Sequence, residues 1–172
     1  MARTSYQQIL NLPDAAQSWN FDLFIPTIPK ASGSSQSLTY KVRTTALPGA
    51  KIEPVPIELH GAKKQEAGRA IYDHTLPVTL LETIDWETIL KFRAWRDYMR
   101  SWKNNKGSDS TAYKVNLELD VYDNQGNISQ TFIIAGAFPT DVGDVQLDGA
   151  ASTALDVSIT FSYDYISDGL TW

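Results

Sequence analysis

The chain has 172 residues, enough for one domain with a sizeable core and too few for two comfortable ones. It contains no cysteine, which excludes disulfide scaffolds, thiolate metal sites and cysteine nucleophiles and leaves packing or association to supply stability. The net charge of -5 is unevenly divided: residues 1–106 carry fourteen Lys and Arg against ten Asp and Glu, whereas residues 107–172 carry Lys114 alone against ten acids, so one acidic and one more basic surface are expected.

The N-terminal stretch MARTSYQQILNLPDAAQSW has no apolar core of signal-peptide length, and no later run approaches membrane-spanning length. A soluble chain made in the cytosol is therefore expected. Residues 1–18 read as a polar arm that orders only against a neighbour, and residues 19–172 as a single domain. Trp19, Phe21, Leu23 and Ile25 alternate with polar residues, which predicts a strand ended by Pro26 and Pro29. Residues 31–37, ASGSSQS, predict a flexible loop, and Leu38, Tyr40, Val42 and Thr44 a second strand.

After a turn at Leu47-Pro48-Gly49, KIEPVPIELHG keeps a strand pattern, but Pro54 and Pro56 cannot donate ladder hydrogen bonds and call for an edge or a bend. Residues 61–73, GAKKQEAGRAIYD, are too long for a hairpin turn and predict a long charged loop. A strand from His74 to Leu81 then feeds the one long helical run, Asp85 to Trp102. Trp86, Ile89, Phe92, Trp95, Met99 and Trp102 recur at helical spacing and predict one apolar face, with Asp85 as the capping carboxylate. Arg93, Arg96 and Arg100, with Lys103 and Lys106, would form an outward basic surface. This helix could either plug a sheet or lie on nucleic acid or an anionic membrane.

Tyr113 to Tyr122 shows the clearest alternation in the chain, followed by Asp123-Asn124-Gln125-Gly126-Asn127 as a hairpin turn, a return strand Ile128 to Phe138, a loop to Ala151, and a last strand from Leu155 to Tyr165. The prediction is mainly β: a β-sandwich or partly open barrel with one flanking helix. Its long two-faced strands leave edges that closure into a ring of subunits would remove.

Four segments in this order, LPGAKIEPVPIELHG, DWETILKFRAWRDYMRSW, AFPTDVGDVQLDG and DVSITFSYDYI, resemble the tail tube proteins of contractile-tailed bacteriophages over residues 19–166. The resemblance implies an inner sheet continued across subunits into a ring barrel, with hexameric rings stacked into a tube that conducts DNA during ejection. It implies a virion tail location and, as partners, further copies, the sheath protein, the tape measure and baseplate or tail-terminator proteins. DNA would be transient cargo without specific binding, and no membrane is involved. Tubes of type VI secretion and of phage-tail-like bacteriocins share this architecture and remain alternatives. Carried over by position, Gly61 to Asp73 corresponds to the loop reaching toward neighbouring subunits, so Lys63, Lys64, Glu66 and Arg69 would make inter-subunit contacts. Glu118, Asp120, Asp156 and Asp164 become candidates for an acidic lumen wall that repels phosphates; an outer solvated face is the other reading.

Chemistry of other kinds lacks support in the residues. His60 and His74 have no ligand motif, Asp141, Asp144 and Asp148 do not match a calcium-loop spacing, and no phosphate-binding loop or nucleophile elbow appears. No catalytic residue, cofactor or metal is expected. A nucleic-acid-binding module on the basic helix is the alternative of another class, and a small hydrolase built on paired carboxylates ranks last.

Overall fold

The computed structural model describes residues 14–31, 35–150 and 152–167. Nine strands follow one another: β1 Phe21–Phe24, β2 Val42–Thr45, β3 Ala50–Leu59, β4 Ala62–Tyr72, β5 Thr75–Leu81, β6 Val115–Tyr122, β7 Ile128–Val142, β8 Asp156–Ser162 and β9 Tyr165–Ser167. Among the described residues there is one long helix, α2 (Glu87–Met99), and two single turns, α1 (Gln36–Thr39) and α3 (Ser110–Tyr113).

Seven strands make one antiparallel sheet in the order β1-β6-β7-β8-β5-β2, with β9 added to β7, and the sheet folds over without closing into a barrel. The mainly β class with a flanking helix is as expected. The fold-over is the work of β7. Its first part pairs with β6 and β9, and its last part with β8. Between them Gly136 takes a positive φ of 68° and donates its N–H to Asn116 Oδ1 at 3.1 Å. A Cβ there would lie 2.1 Å from Asp164 Oδ2, so glycine is required at the corner. The sequence places one continuous last strand up to Tyr165. Instead the chain bends at Tyr163 and Asp164, and Tyr165–Ser167 joins the other half of β7.

The inward face carries Leu23, Leu117, Leu119 and Ile134 from one half and Leu76, Val78, Leu80, Val157, Ile159 and Phe161 from the other. Helix α2 seals this core with Phe92 and Trp95, whose rings lie 5.8 and 6.0 Å from that of Phe161. Trp95 is fully buried and donates its indole N–H to the Tyr113 carbonyl at 2.9 Å. Burying each such side chain is worth about 1.5–3 kcal/mol.

The helix differs from its prediction at both ends. It stops at Met99, where the chain doubles back so that Arg100 bridges Gly107, and Trp102 falls in the turn, 73% exposed. At the other end Trp86 adopts a left-handed conformation (φ 56°, ψ 27°) and lies outside the helix, 40% exposed. Thr88, Ile89, Lys91, Phe92 and Trp95 form the buried stripe in place of three tryptophans. Asp85 makes no cap. The buried Glu82 carboxylate, one residue beyond β5, accepts the N–H groups of Thr83 (2.9 Å), Thr88 (3.1 Å) and Ile89 (2.8 Å). With Trp86 left-handed, the chain enters the helix from β5 at an angle that brings Glu82, not Asp85, over the free amides.

Two further expectations change. Leu38 and Tyr40 lie in and just after the single turn α1, so the second strand begins only at Val42. Residues 61–73 are not a loop. His60 and Gly61, both at positive φ (49° and 82°), form a tight turn that matches strand twist, and β4 returns along β3 in register from Leu59↔Ala62 to Ala50↔Tyr72. Charged residues conceal the strand because both its faces meet water. Of the predicted N-terminal arm, residues 1–13 lie outside the described residues, and residues 14–18 are exposed.

Candidate functional site

Two surfaces stand out: a ribbon and an acidic sheet face. The β3–β4 ribbon is a separate two-stranded sheet that, among the described residues, packs on no other element to any substantial extent. Ten residues of strand span roughly 33 Å, so its tip lies far from its root. Lys63, Lys64, Glu66 and Arg69 all sit on β4 of this ribbon and are exposed. Each has an ion-pair partner inside it: Glu58 at 3.7 Å from Lys63, Glu66 at 2.7 Å from Lys64, and Glu53 at 3.2 Å from Arg69.

On the first half of the main sheet, residue alternation sends Leu117 and Leu119 inward and Glu118 and Asp120 outward. Asp22 of β1 lies directly opposite Asp120, an arrangement of like charges that destabilises a sheet when nothing offsets it. The offset is local. Thr131 Oγ1 donates to Asp120 Oδ1 at 2.5 Å and the Tyr122 hydroxyl donates to Asp22 Oδ2 at 3.0 Å. Asp22 in turn pushes the Tyr122 phenol above its usual range, first by accepting its hydrogen bond, then together with partial burial and the charge of Asp120. Asp22 was not among the residues selected from the sequence. Its place in an alternating strand was legible, but its partner strand lies about a hundred residues away in the chain.

Asp156 and Asp164 are held elsewhere. Asp156 lies on the other half of the sheet, paired with Arg43 at 3.0 Å, and Asp164 sits at the β7 corner with both oxygens on Lys114 Nζ at 2.7 and 2.8 Å. The structure thus brings Glu118 and Asp120 together with Asp22 and separates the other two acids from them.

Arg93 and Arg96 are exposed on α2, and Arg100 is exposed just past its end. Arg96 pairs with Asp97 at 2.9 Å and Arg100 donates to Asn105 at 3.3 Å. The buried side of the same helix holds a different charge cluster: Glu87 receives Lys41 at 2.6 Å, Lys91 at 2.7 Å and the Ser37 hydroxyl at 3.0 Å. Hydrogen bonds from Lys41 and then Lys91 lower its carboxyl to about 2. This cluster ties α2 to the segment leading into β2.

Among the described residues no group of three or more His, Asp or Glu could hold a metal ion, His60 occupies the ribbon turn, and His74 Nδ1 lies 3.0 Å from the Tyr163 carbonyl. What the surfaces offer is extended protein contact and a field of negative charge.

A family model described as phage tail tube protein matches residues 3–167. The tail tube protein gp19 of Enterobacteria phage T6 is 26% identical over 133 residues, covering 76% of this chain and 81% of the relative. In structure the chain is similar to the tube-terminating cap of the anti-feeding prophage (TM-score 0.64, 9% identity, 91% of each chain). It is also similar to a chain of the sheath–tube complex of an extracellular contractile injection system in its extended state (TM-score 0.59, 14% identity, 96% of this chain and 97% of the other). At such identities the two structures show a shared fold.

Proposed function

The chain belongs to the phage tail tube protein family, a structural component of the virion tail and not an enzyme, and from that premise we propose that it is the repeating subunit of a tube of stacked hexameric rings whose bore conducts DNA. The observation that carries the proposal is the ribbon. A lone two-stranded ribbon is marginal in water, and this one packs on no other element of the described residues to any substantial extent, which is the condition of an element that finds its support on a neighbour. The free edges of β1 and β2 add to this. An open sheet repeated around a ring continues from copy to copy and removes its own edges.

The acidic face supports the DNA-conducting role. Glu118, Asp120 and Asp22 present carboxylates without a basic partner among the ion pairs of this face, and such a wall repels phosphates so that DNA slides. Asp156 and Asp164, each matched by a cation, contribute less field to a lumen. The sheath, the tape measure and the baseplate or terminator proteins are the further partners, in keeping with the sheath–tube and tube-terminating cap proteins that share the fold. The same subunit chemistry would serve a bacteriocin or type VI tube, which carries no DNA-filled capsid.

Electron microscopy of the purified protein tests the reading. Rings or tubes with six-fold symmetry are the expected result, and monomers alone at high concentration, even with a tail initiator present, would overturn it.

A further inference from the structure

The turn that follows α2 holds one large side chain out into water. Arg100 bridges Gly107, Ser101 donates its N–H to the Lys106 carbonyl at 3.0 Å, and Asn105, at a positive φ of 54°, donates to the Ser101 carbonyl at 2.8 Å. Asn104 Oδ1 accepts the Lys106 N–H at 3.1 Å. On this frame Trp102 stands 73% exposed, with the Lys103 ammonium 5.6 Å from the centre of its ring. Residues 100–107 contain three cations, Arg100, Lys103 and Lys106, and no acid. Among the described residues Arg100 meets the neutral Asn105 amide, and neither lysine has an ion-pair partner. A fixed indole among unmatched cations has the composition of an interface anchor.

The other end of the same helix offers the counterpart. Where the chain passes from β7 to β8 there is an open hollow of about 720 Å³, lined by Leu147, Ala154 and Leu155 together with Asp144, Asp148 and Asp156. Leu147 is 74% exposed, so the hollow has apolar surface to cover. Residues 144–156 contain these three acids and no cation. Arg43 matches Asp156, whereas Asp144 and Asp148 have no cationic partner among the described residues. Asp148 Oδ1 accepts the Ala150 N–H at 2.9 Å, which tightens the loop around it.

No copy can fill its own hollow. Glu82, whose carboxylate lies over the first amides of α2, donates its backbone N–H to the Leu155 carbonyl at 2.8 Å, which fixes the hollow at the N-terminal end of the helix. Ser108, at the foot of the Trp102 turn, donates its N–H to the carbonyl of Met99, the last residue of α2, at 3.0 Å. The 13 residues of helix between them span about 20 Å.

We propose that the Trp102 turn of one copy seats in the hollow of a second copy, its indole against Leu147, Ala154 and Leu155 and its cations opposite Asp144 and Asp148, and that this contact stacks one ring on the next. The inference rests on the tube-subunit reading. The occupant is a second copy because the hollow supplies both things the turn lacks, apolar cover and unmatched carboxylates. Different surfaces of one chain meet, so the contact is head-to-tail: each docked copy still presents a free turn at one end of α2 and a free hollow at the other, and the series extends. The indole supplies affinity, and the charges set approach and register.

The test uses the full chain and inverts charge on each side. The variants are Trp102→Ala, Lys103→Glu with Lys106→Glu, Asp144→Lys with Asp148→Lys, and all four inversions together. Sedimentation velocity and electron microscopy at low and high salt follow the concentration needed for tubes, and thermal unfolding checks the fold. Trp102→Ala should raise that concentration on the order of thirtyfold, as loss of an aromatic anchor does, and leave single rings in place of tubes. Its side chain is exposed, so it serves as the test should an inversion fail to fold. Each double inversion should raise the concentration too, by a factor that shrinks at high salt, and the fourfold variant should return toward the unaltered chain because its surfaces match again. Tubes of Trp102→Ala at the ordinary concentration, or a fourfold variant no better than the doubles, overturn the proposal while the tube reading stands. Turn variants that stack normally yet lose retention of added duplex DNA overturn it as well and assign the turn to nucleic acid. An unaltered chain that stays monomeric overturns the tube reading, and the proposal with it.

Discussion

The folded body and the ribbon are built on opposite principles within one chain. In the body, alternation directs one face of every strand inward, α2 closes the interior, and buried charge is satisfied locally, Lys91 by Glu87 and the Glu82 carboxylate by backbone N–H groups. In the ribbon nearly every residue meets water, the charges pair along its surface, and apolar side chains such as Ile52, Val55 and Leu59 are left bare. Body residues therefore govern whether the monomer folds, and under the proposed tube reading ribbon residues act after folding, on association. The contrast teaches that the same β-propensity serves two ends, and that exposure separates them.

The largest effect should follow from Trp95→Ala. Losing the ring that packs on Phe92 and Phe161, together with the hydrogen bond to Tyr113, should destabilise the monomer by about 3–5 kcal/mol in urea unfolding. Val55→Ser and Leu59→Ser on the exposed ribbon, by contrast, should leave the unfolding midpoint of the monomer nearly unmoved; a comparable loss there would erase the distinction between the two regions.

Next in size is Glu82→Ala. It strands the N–H groups of Thr83, Thr88 and Ile89 beneath a buried site and should cost about 1–3 kcal/mol by the same measurement. Asp85→Ala should have little effect, and a larger loss at Asp85 than at Glu82 would show that the helix is capped in another way.

The smallest effect concerns pH. Because the Glu87 carboxyl lies at about 2 in the folded protein against 4.5 ordinarily, its stabilising contribution is full above about pH 4.5 and is lost as pH falls through about 2. Monomer stability measured from pH 6 to pH 2 should hold down to about pH 4.5 and decline below it, and Glu87→Gln should flatten the decline. An equal slope in Glu87→Gln would assign the acid sensitivity to other groups.

Much of the fold was legible in the sequence because the signals are local. The alternation of Leu117 and Leu119 with Glu118 and Asp120, the turn at Gly126, and the helical spacing of Ile89, Phe92 and Trp95 each depend on neighbours within a few residues. The ribbon's second strand was not legible, since Lys63, Lys64, Glu66 and Arg69 look like a solvated loop when nothing reveals that both faces of a strand meet water. The capping residue was misplaced for a related reason. Asp85 is nearest in sequence, but the left-handed Trp86 turns the chain so that Glu82 is nearest in space.

By itself, then, the sequence determined the mainly β class, the single long helix and the absence of thiol chemistry, because periodicity and composition act over short distances. Only the tertiary structure decided which charges keep company. It set Asp22 against Asp120, matched Asp156 and Asp164 with Arg43 and Lys114, and folded the ribbon's charges onto one another. Such pairings join residues from strands far apart in the chain, and a Coulomb interaction depends on distance in space, which no pattern along the chain records.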